Sequence, residues 1–231
     1  MRNHPTSLML FAAGKGVRMG ALTANMPKPL IRVAGTALID HALALVDEAQ
    51  ISQVVANVHY MPHLIAGHLQ ATRVRISDET DALLETGGGL RRALPLLGAD
   101  PVFTLNSDAV WTGANPLIQL QAAWNPDQMD ALLLLVGAGA AHGHKGAGDF
   151  IQAPDGRLMR GPDLIYTGAQ ILATDLLANI PDQAFSLNRV WDLMQNRNRL
   201  FGIVHHGSWC DVGSPDGMQE AEAMLKAAGN V

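Results

Sequence analysis

Residues Leu10–Leu30, read LFAAGKGVRMGALTANMPKPL, gather groups suited to a polyphosphate. The apolar run Leu8-Met9-Leu10-Phe11 leads into Ala12-Ala13-Gly14-Lys15-Gly16, then Arg18, then Lys28 locked between Pro27 and Pro29. A strand feeding such a turn brings backbone N–H groups close to an anion, because alanines and glycines put nothing in the way. Arg18 adds a planar donor fork and Lys28 a point charge. Two of the four lysines, Lys15 and Lys28, fall in this stretch, and the others are Lys145 and Lys226.

Two better-known phosphate patterns do not fit. A P-loop needs Gly-Lys followed by Ser or Thr, and Gly14-Lys15 is followed by Gly16. The dinucleotide fingerprint G-x-G-x-x-G requires glycine where Met19 stands, and an acidic residue where the run Val54–Val58 ends in His59.

Three further blocks carry chemistry. Asn106-Ser107-Asp108 follows the run Val102–Leu105, and Trp209-Cys210-Asp211-Val212-Gly213 precedes a C-terminal helical stretch. Mg²⁺ on a triphosphate is held by one or two carboxylates plus phosphate oxygens and waters, which Asp108 and Asp211 could supply. An aspartate after a strand also serves as a turn or capping residue, so the residues alone leave both readings open. In Glu85-Thr86-Gly87-Gly88-Gly89, a helix starting at the glycines would present free N–H groups, which Glu85 or Thr86 would cap.

The elements that must position these residues alternate along the chain. Leu8–Phe11, Val54–Val58, Val74–Ile76, Val102–Leu105 and Leu132–Val136 are short and rich in branched residues, as strands buried on both faces are. Between them apolar residues recur at helical spacing at Leu38–Ala49, Leu64–Leu69 and Leu90–Leu97. This alternation predicts a mostly parallel sheet covered on both faces, with ligands at the carboxyl ends of its strands. After about Val136 the texture changes: Gly137–Gly148 is dense in Gly and Ala, and Phe150–Ile151, Leu158–Met159 and Ile165–Leu172 read as short strands, antiparallel where they pair. Helical spacing returns at Leu187–Met194 and Met218–Ala228.

The opening stretch resembles the signature of the sugar-1-phosphate nucleotidyltransferases. It is carried by Leu10, Ala12, Ala13, Gly14, Gly16, Arg18, Met19, Leu22, Thr23, Pro27, Lys28, Pro29 and Leu30, with Ala21 where the family usually has Pro. The resemblance implies an α/β, Rossmann-like fold of the nucleotide-diphospho-sugar transferase type, with helices on both sheet faces and a smaller β-containing sugar-binding subregion. It implies one domain over 1–231, with a nucleotide-binding part to about 136 and a sugar-binding part from about 137. Ala12, Ala13, Gly14, Gly16 and Arg18 would then hold the nucleoside triphosphate, and Lys28 would offset charge on its phosphates. Glu85, Gly87, Gly88 and Asn106 would meet the nucleotide, the glycines packing beneath the base. Asp108 and Asp211 would bind Mg²⁺, with Ser107 in place of the family's usual Gly. The catalytic set that the resemblance implies is Arg18, Lys28 and Asp108.

The wording Leu84–Gly89 is similar to that of the compact bacterial enzymes acting on N-acetylmuramic acid 1-phosphate with UTP. On the sugar side the resemblance implies Asp149 and Gly168. Many relatives carry Glu-Lys-Pro there; this chain reads Met159-Arg160-Gly161-Pro162, so Arg160 is the expected replacement for the lysine that grips the sugar phosphate. The alternatives within the family are GTP with mannose 1-phosphate, or UTP or dTTP with glucose 1-phosphate. Outside the enzyme class stands a non-catalytic nucleotide-sensing relative.

Composition sets the remaining bounds. A chain of 231 residues, 48% hydrophobic and 16% charged, supports one α/β domain with a full core. A net charge of −5 and a pI near 5.9 argue against nucleic acid as partner. No apolar run reaches the ~18 residues of a membrane span. The chain enters the phosphate stretch soon after Arg2, without the form of a cleavable signal. A single cysteine, Cys210, excludes an internal disulfide and suits a cytoplasmic setting. The nine histidines lack zinc-site spacing and company, and no nucleophile motif such as G-x-S-x-G occurs. The partners that the resemblance implies are a nucleoside triphosphate and a sugar 1-phosphate, with a monomer or small homo-oligomer expected.

Overall fold

The computed structural model describes residues 5–98 and 100–229; the first four residues, Arg2 among them, lie outside it. Strand β1 (Ser7–Phe11) runs into the phosphate turn and two short 3-10 segments, Val17–Thr23 and Lys28–Leu30. A small hairpin, β2 (Arg32–Val33) and β3 (Thr36–Ala37), leads to helix α1 (Leu38–Glu48). Then come β4 (Gln53–Val58), α2 (Pro62–Leu69), β5 (Arg75–Asp78), α3 (Glu85–Leu97), β6 (Val102–Asn106), β7 (Ala109–Trp111) and α4 (Pro116–Ala123). The second half holds β8 (Ala131–Gly137), β9 (Ala141–His142), β10 (Phe150–Gln152), β11 (Leu158–Arg160) and β12 (Leu164–Leu172). It closes with α5 (Asn188–Asn196), β13 (Leu200–Val204), β14 (Trp209–Asp211) and α6 (Pro215–Ala227).

Nine strands form the main sheet, with β6, β1, β4 and β5 side by side and parallel. Strand β12 lies antiparallel on β6, and beyond it the sheet continues through β8 and the parallel β13, and through β10 to β11. Following these pairings, β11 and β12 run against the other strands, so the sheet is mixed but mostly parallel in direction. The expected early strands are all present, and the expected late strands pair antiparallel. Strand β13 and helix α4 were not anticipated.

Period-two alternation sets which residues face which helix layer. Leu8 and Leu10 of β1 join a core with Ile39, Ala42 and Val46 of α1, while Met9 joins Leu90, Ala93 and Leu97 of α3. In β8 the alternation is complete: Leu132, Leu134 and Val136 enter the first core, and Ala131, Leu133 and Leu135 the second. A strand with both faces buried needs no polar residue between its apolar ones, which explains the unbroken ALLLLV. A third cluster packs α6 (Ala221, Met224, Leu225) against Val212, Cys210 and Met19, tying the end of the chain to the phosphate turn.

A separate three-stranded sheet has β14 at its centre, antiparallel to β7 and parallel to β9. Its register pairs Asp211 with Ala109. The tail is thereby laid beside the end of β6.

Leu133 is fully buried at the junction between β12 and β13. Leu133→Ala is expected to cost about 2–5 kcal/mol, as large-to-small changes in closed cores do. Urea unfolding followed by circular dichroism measures the loss.

Candidate functional site

The phosphate turn sits at the carboxyl end of β1. The Ala12 N–H donates to Asn57 Oδ1 (2.9 Å), which anchors the turn to the neighbouring strand. Gly16 is left-handed (φ 62°), and a Cβ there would lie 2.9 Å from Lys28 Cβ. The absence of a side chain at 16 lets Lys28 fold beneath the turn, flanked by Pro27 in extended geometry and Pro29 in the first turn of its short helix. Thr23 Oγ1 donates to the carbonyls of Gly16 (3.1 Å) and Gly20 (3.2 Å), closing the loop on itself.

Lys28 is buried, and its Nζ reaches Asp108 Oδ2 at 2.7 Å. Ser107 fixes the residue before that aspartate: its Oγ donates to the Phe11 carbonyl (2.7 Å), tying the end of β6 to the end of β1. Asp211 arrives by strand pairing, beside Ala109, with the Val212 N–H donating to the Asp108 carbonyl (3.0 Å). Arg18 lies across Gly213, where a Cβ would fall 2.7 Å from its Nη1, and its Nη2 stands 3.6 Å from Asp211 Oδ2.

Burial pushes the Asp211 carboxyl above its ordinary range, and the neighbouring Asp108 carboxylate pushes it further. Lys28, Arg18 and His144 pull it back. Two carboxylates and two cations therefore act on one another in one site.

Behind this charge cluster opens a cavity of about 380 Å³ lined by Phe11, Ala13, Gly14, Asn57, Glu79, Leu83, Glu85, Thr86, Asn106, Asp108 and Ser186. A second lobe of about 210 Å³ shares Phe11, Thr86, Asn106 and Ser186 with it and adds Asp149, Tyr166, Leu187, Asn188 and Trp191. Asn106 stands at the junction. Gly168 makes room for it: a Cβ at that left-handed position (φ 85°) would fall 2.6 Å from Asn106 Nδ2. Asp149 Oδ2 accepts the Tyr166 N–H (2.8 Å), holding a carboxylate at the wall of the smaller lobe.

The glycine block behaves differently from a capped helix end. Helix α3 starts at Glu85, ahead of the apolar spacing, and Glu85 is itself left-handed (φ 59°). Such a backbone in a non-glycine residue is strained and concentrates at functional sites. Neither Glu85 nor Thr86 caps the helix. The Gly87 and Gly88 amides donate to the Phe185 carbonyl (2.8 and 3.1 Å), and Thr86 Oγ1 accepts the Leu187 N–H (2.9 Å). Cβ atoms on Gly87 and Gly88 would fall 2.3 Å from Phe185 Cε2 and 2.4 Å from the Gln183 carbonyl oxygen. Gly87 and Gly88 thus face the segment before α5 rather than the cavity, while Glu85 and Thr86 line it.

Arg160 also lies apart from the cavity lining. Its Nε and Nη2 bond Asp192 Oδ1 (3.2 and 2.8 Å), and its guanidinium lies 4.8 Å from the Phe150 ring centroid and 5.5 Å from that of Trp191. It braces the outer side of the Trp191 wall. Ala12, Ala13, Gly14, Gly16, Arg18, Lys28, Asn106, Asp108 and Asp211 are brought around the turn, and Asp149 and Gly168 around the smaller lobe.

Sequence reasoning missed Asn57, Glu79, Tyr166, Ser186 and Trp191. Asn57 carried a signal, being a polar residue inside the apolar run of β4. Glu79, fully buried, carried none.

This fold, with its paired carboxylates at the rim of a two-lobed cavity, is that of the nucleotide-diphospho-sugar transferases. The chain matches the inositol-1-phosphate CTP transferase from T. maritima with a TM-score of 0.77, covering 98% of each chain at 14% identity. Residues 8–148 match the MobA-like NTP transferase domain, and the chain belongs to the sugar-1-phosphate nucleotidyltransferase family. It is 39% identical to the N-acetylmuramate alpha-1-phosphate uridylyltransferase of Caulobacter vibrioides over 99% of this chain and 100% of that one. It is 32% identical to the protein of that name from Neisseria meningitidis serogroup B, over 95% and 98%. Among the described residues no helix is long and apolar enough to cross a membrane.

The raised Asp211 carboxyl has a consequence for stability. A carboxylate whose folded pKa lies above its unfolded value favours folding in acid and loses that contribution as pH rises through the folded value. Asp211→Asn should therefore raise the melting temperature by a few degrees at pH 8 in metal-free buffer, with the gain shrinking toward pH 4. Differential scanning calorimetry across that range checks it.

Proposed function

We propose that this protein transfers the uridylyl group of UTP to N-acetylmuramic acid 1-phosphate in the cytoplasm, giving the UDP-sugar and pyrophosphate. The carrying observation is that Asp108, Asp211, Lys28 and Arg18 meet at the mouth of a cavity with one lobe against the phosphate turn and another lined for a hydroxyl-rich ring. The likeness to the two uridylyltransferases supports the choice of base and sugar. Residues to about 136 would serve the nucleotide and those from about 137 the sugar.

The residues fit a divalent cation. Asp108 and Asp211 present hard oxygen ligands side by side, and their mutual repulsion is the kind a cation relieves. Asp108 and Asp211 would hold Mg²⁺, whose contribution is charge neutralisation on the phosphates.

An oxygen of the sugar phosphate attacks the α-phosphorus of UTP. Its new bond forms as the α–β bridge opens, and the departing electron pair leaves on pyrophosphate. The nucleophile is already an anion, so no side-chain base is needed, and positioning with charge neutralisation does the work. The buried stem of Lys28 holds its ammonium where charge develops at the α-phosphate. The more exposed fork of Arg18 suits the outgoing phosphates. In the smaller lobe Asp149, Asn106, Ser186 and Asn188 offer hydrogen bonds to hydroxyls, and Phe11, Tyr166 and Trp191 give the ring apolar faces. Arg160 contributes by holding Trp191 in place.

A panel of UTP, dTTP, GTP, CTP and ATP against sugar 1-phosphates, read by pyrophosphate release, tests the assignment. UTP with N-acetylmuramic acid 1-phosphate should be the best pair, with turnover lost in EDTA. Nucleotide binding without pyrophosphate release on any pair would move the protein out of the enzyme class. Lys28→Ala and Asp108→Ala should each lower kcat by about 100-fold or more, the scale of losing one preorganised charge contact. Arg160→Ala should raise KM for the sugar phosphate several-fold while leaving KM for UTP near the wild-type value.

A further inference from the structure

One buried acid lies outside the reaction just described. The Glu79 carboxylate is completely enclosed in the floor of the larger lobe. Its oxygens are held by neutral donors: Oε1 accepts from Asn57 Nδ2 (2.8 Å) and Oε2 from the Leu84 N–H (3.3 Å). A buried carboxylate held this way is costly, and an apolar residue of similar size would stabilise the fold more cheaply. What it joins is the informative point. Asn57 passes the connection on, since its Oδ1 accepts the N–H of Ala12 at the start of the phosphate turn (2.9 Å). Leu84 immediately precedes Glu85, which is left-handed, and then Thr86; both line the other side of the same lobe. The sequence makes room for the bracket: a Cβ on Gly89 would fall 2.6 Å from Glu79 Oε1 and 3.0 Å from Asn57 Nδ2. The main chain of Glu79 is secured too, its N–H donating to the Val58 carbonyl (2.8 Å) and its carbonyl lying 2.7 Å from His59 Nδ1.

We propose that Glu79 is a positioning residue that sets the span between the phosphate turn and the Leu84–Thr86 wall, so that a nucleoside triphosphate is gripped at both ends at once. This rests on the nucleotide reading above. One end of the ligand meets the turn that hangs from Asn57, and the other meets the wall that hangs from the Leu84 amide. A rigid spacer between two subsites leaves each intrinsic affinity alone and raises the affinity for a ligand that spans them.

Glu79→Gln tests this, because a neutral amide keeps the shape but puts a donor where one of two acceptors stood. KM for UTP should rise about tenfold or more while KM for the sugar 1-phosphate stays within about twofold, the scale of a small misplacement of subsites. The readout that separates positioning from local damage is fragment binding by calorimetry. Uridine alone and inorganic pyrophosphate alone should each bind the variant as they bind the wild type. Gly89→Ala is the second variant: it leaves the carboxylate in the chain and displaces it, so the same split should appear even if Glu79→Gln folds poorly. Unchanged KM for UTP in both variants, or equal weakening of UTP and of its fragments, would overturn the proposal. A wild-type protein that binds neither UTP nor pyrophosphate would overturn the nucleotide reading itself, and this inference with it.

Discussion

Two carboxylates about a hundred residues apart in sequence stand side by side because two strands pair. The register that sets Asp211 of β14 beside Ala109 of β7, with the Val212 amide bonded to the Asp108 carbonyl, brings the two carboxylates close enough to act on each other. The arrangement works against itself electrostatically, as the upward push on the Asp211 carboxyl shows. Much of the surrounding sequence offsets that cost. Pro27 and Pro29 hold Lys28 in a bend that aims its ammonium at Asp108, Gly16 lets its stem pass, and Gly213 gives Arg18 a bed beside Asp211. Helix α6, packed on Met19 and Val212, clamps the tail strand to the turn that faces it.

Close approach of backbone to backbone organises the rest of the cavity. Gly87 and Gly88 bring α3 so near to Gln183–Phe185 that the carbonyl of Phe185 takes both of their amides. Thr86 completes the junction by accepting the amide of Leu187. The segment held there supplies Ser186 to both lobes and leads into α5, which supplies Trp191 to the smaller one. The glycine block therefore couples the two lobes mechanically: α3 and α5 cannot move apart without breaking a buried contact.

The parts of this structure legible in sequence were those set by local pattern. Unbroken branched runs marked β1, β4, β6 and β8, and the turn after β1 was legible because Gly, Arg and a Pro-bracketed Lys each have a specific physical use. Asp108 and Asp211 could be nominated, since each lies at the end of an apolar run, but nothing local says that they come near each other. Their meeting depends on β7, β9 and β14, strands of two or three residues that are too short to leave a periodic signal. Helix α3 was misjudged at its start for a related reason. Glycines read as a break in helical pattern, yet here they lie inside the helix because a neighbouring segment must come within contact of it. Glu79 was invisible because a buried acid with neutral partners looks, in sequence, like any surface glutamate.

Arg160 shows how chain position and spatial role can part. The resemblance to the family placed it where relatives carry a phosphate-gripping lysine, but its guanidinium is engaged by Asp192, the Asn188 carbonyl and the rings of Phe150 and Trp191. Among the described residues lining the smaller lobe there is a carboxylate, Asp149, and no lysine or arginine. A lobe with that wall suits the hydroxyls and faces of a ring better than a phosphate dianion. The cations lie at the opposite end, with Lys28 at Asp108 and Arg18 at Asp211. On the function proposed here, a sugar 1-phosphate seated by its ring in the small lobe would extend its charged end past Asn106 toward that cluster. That is the orientation an in-line attack on a turn-bound nucleotide requires.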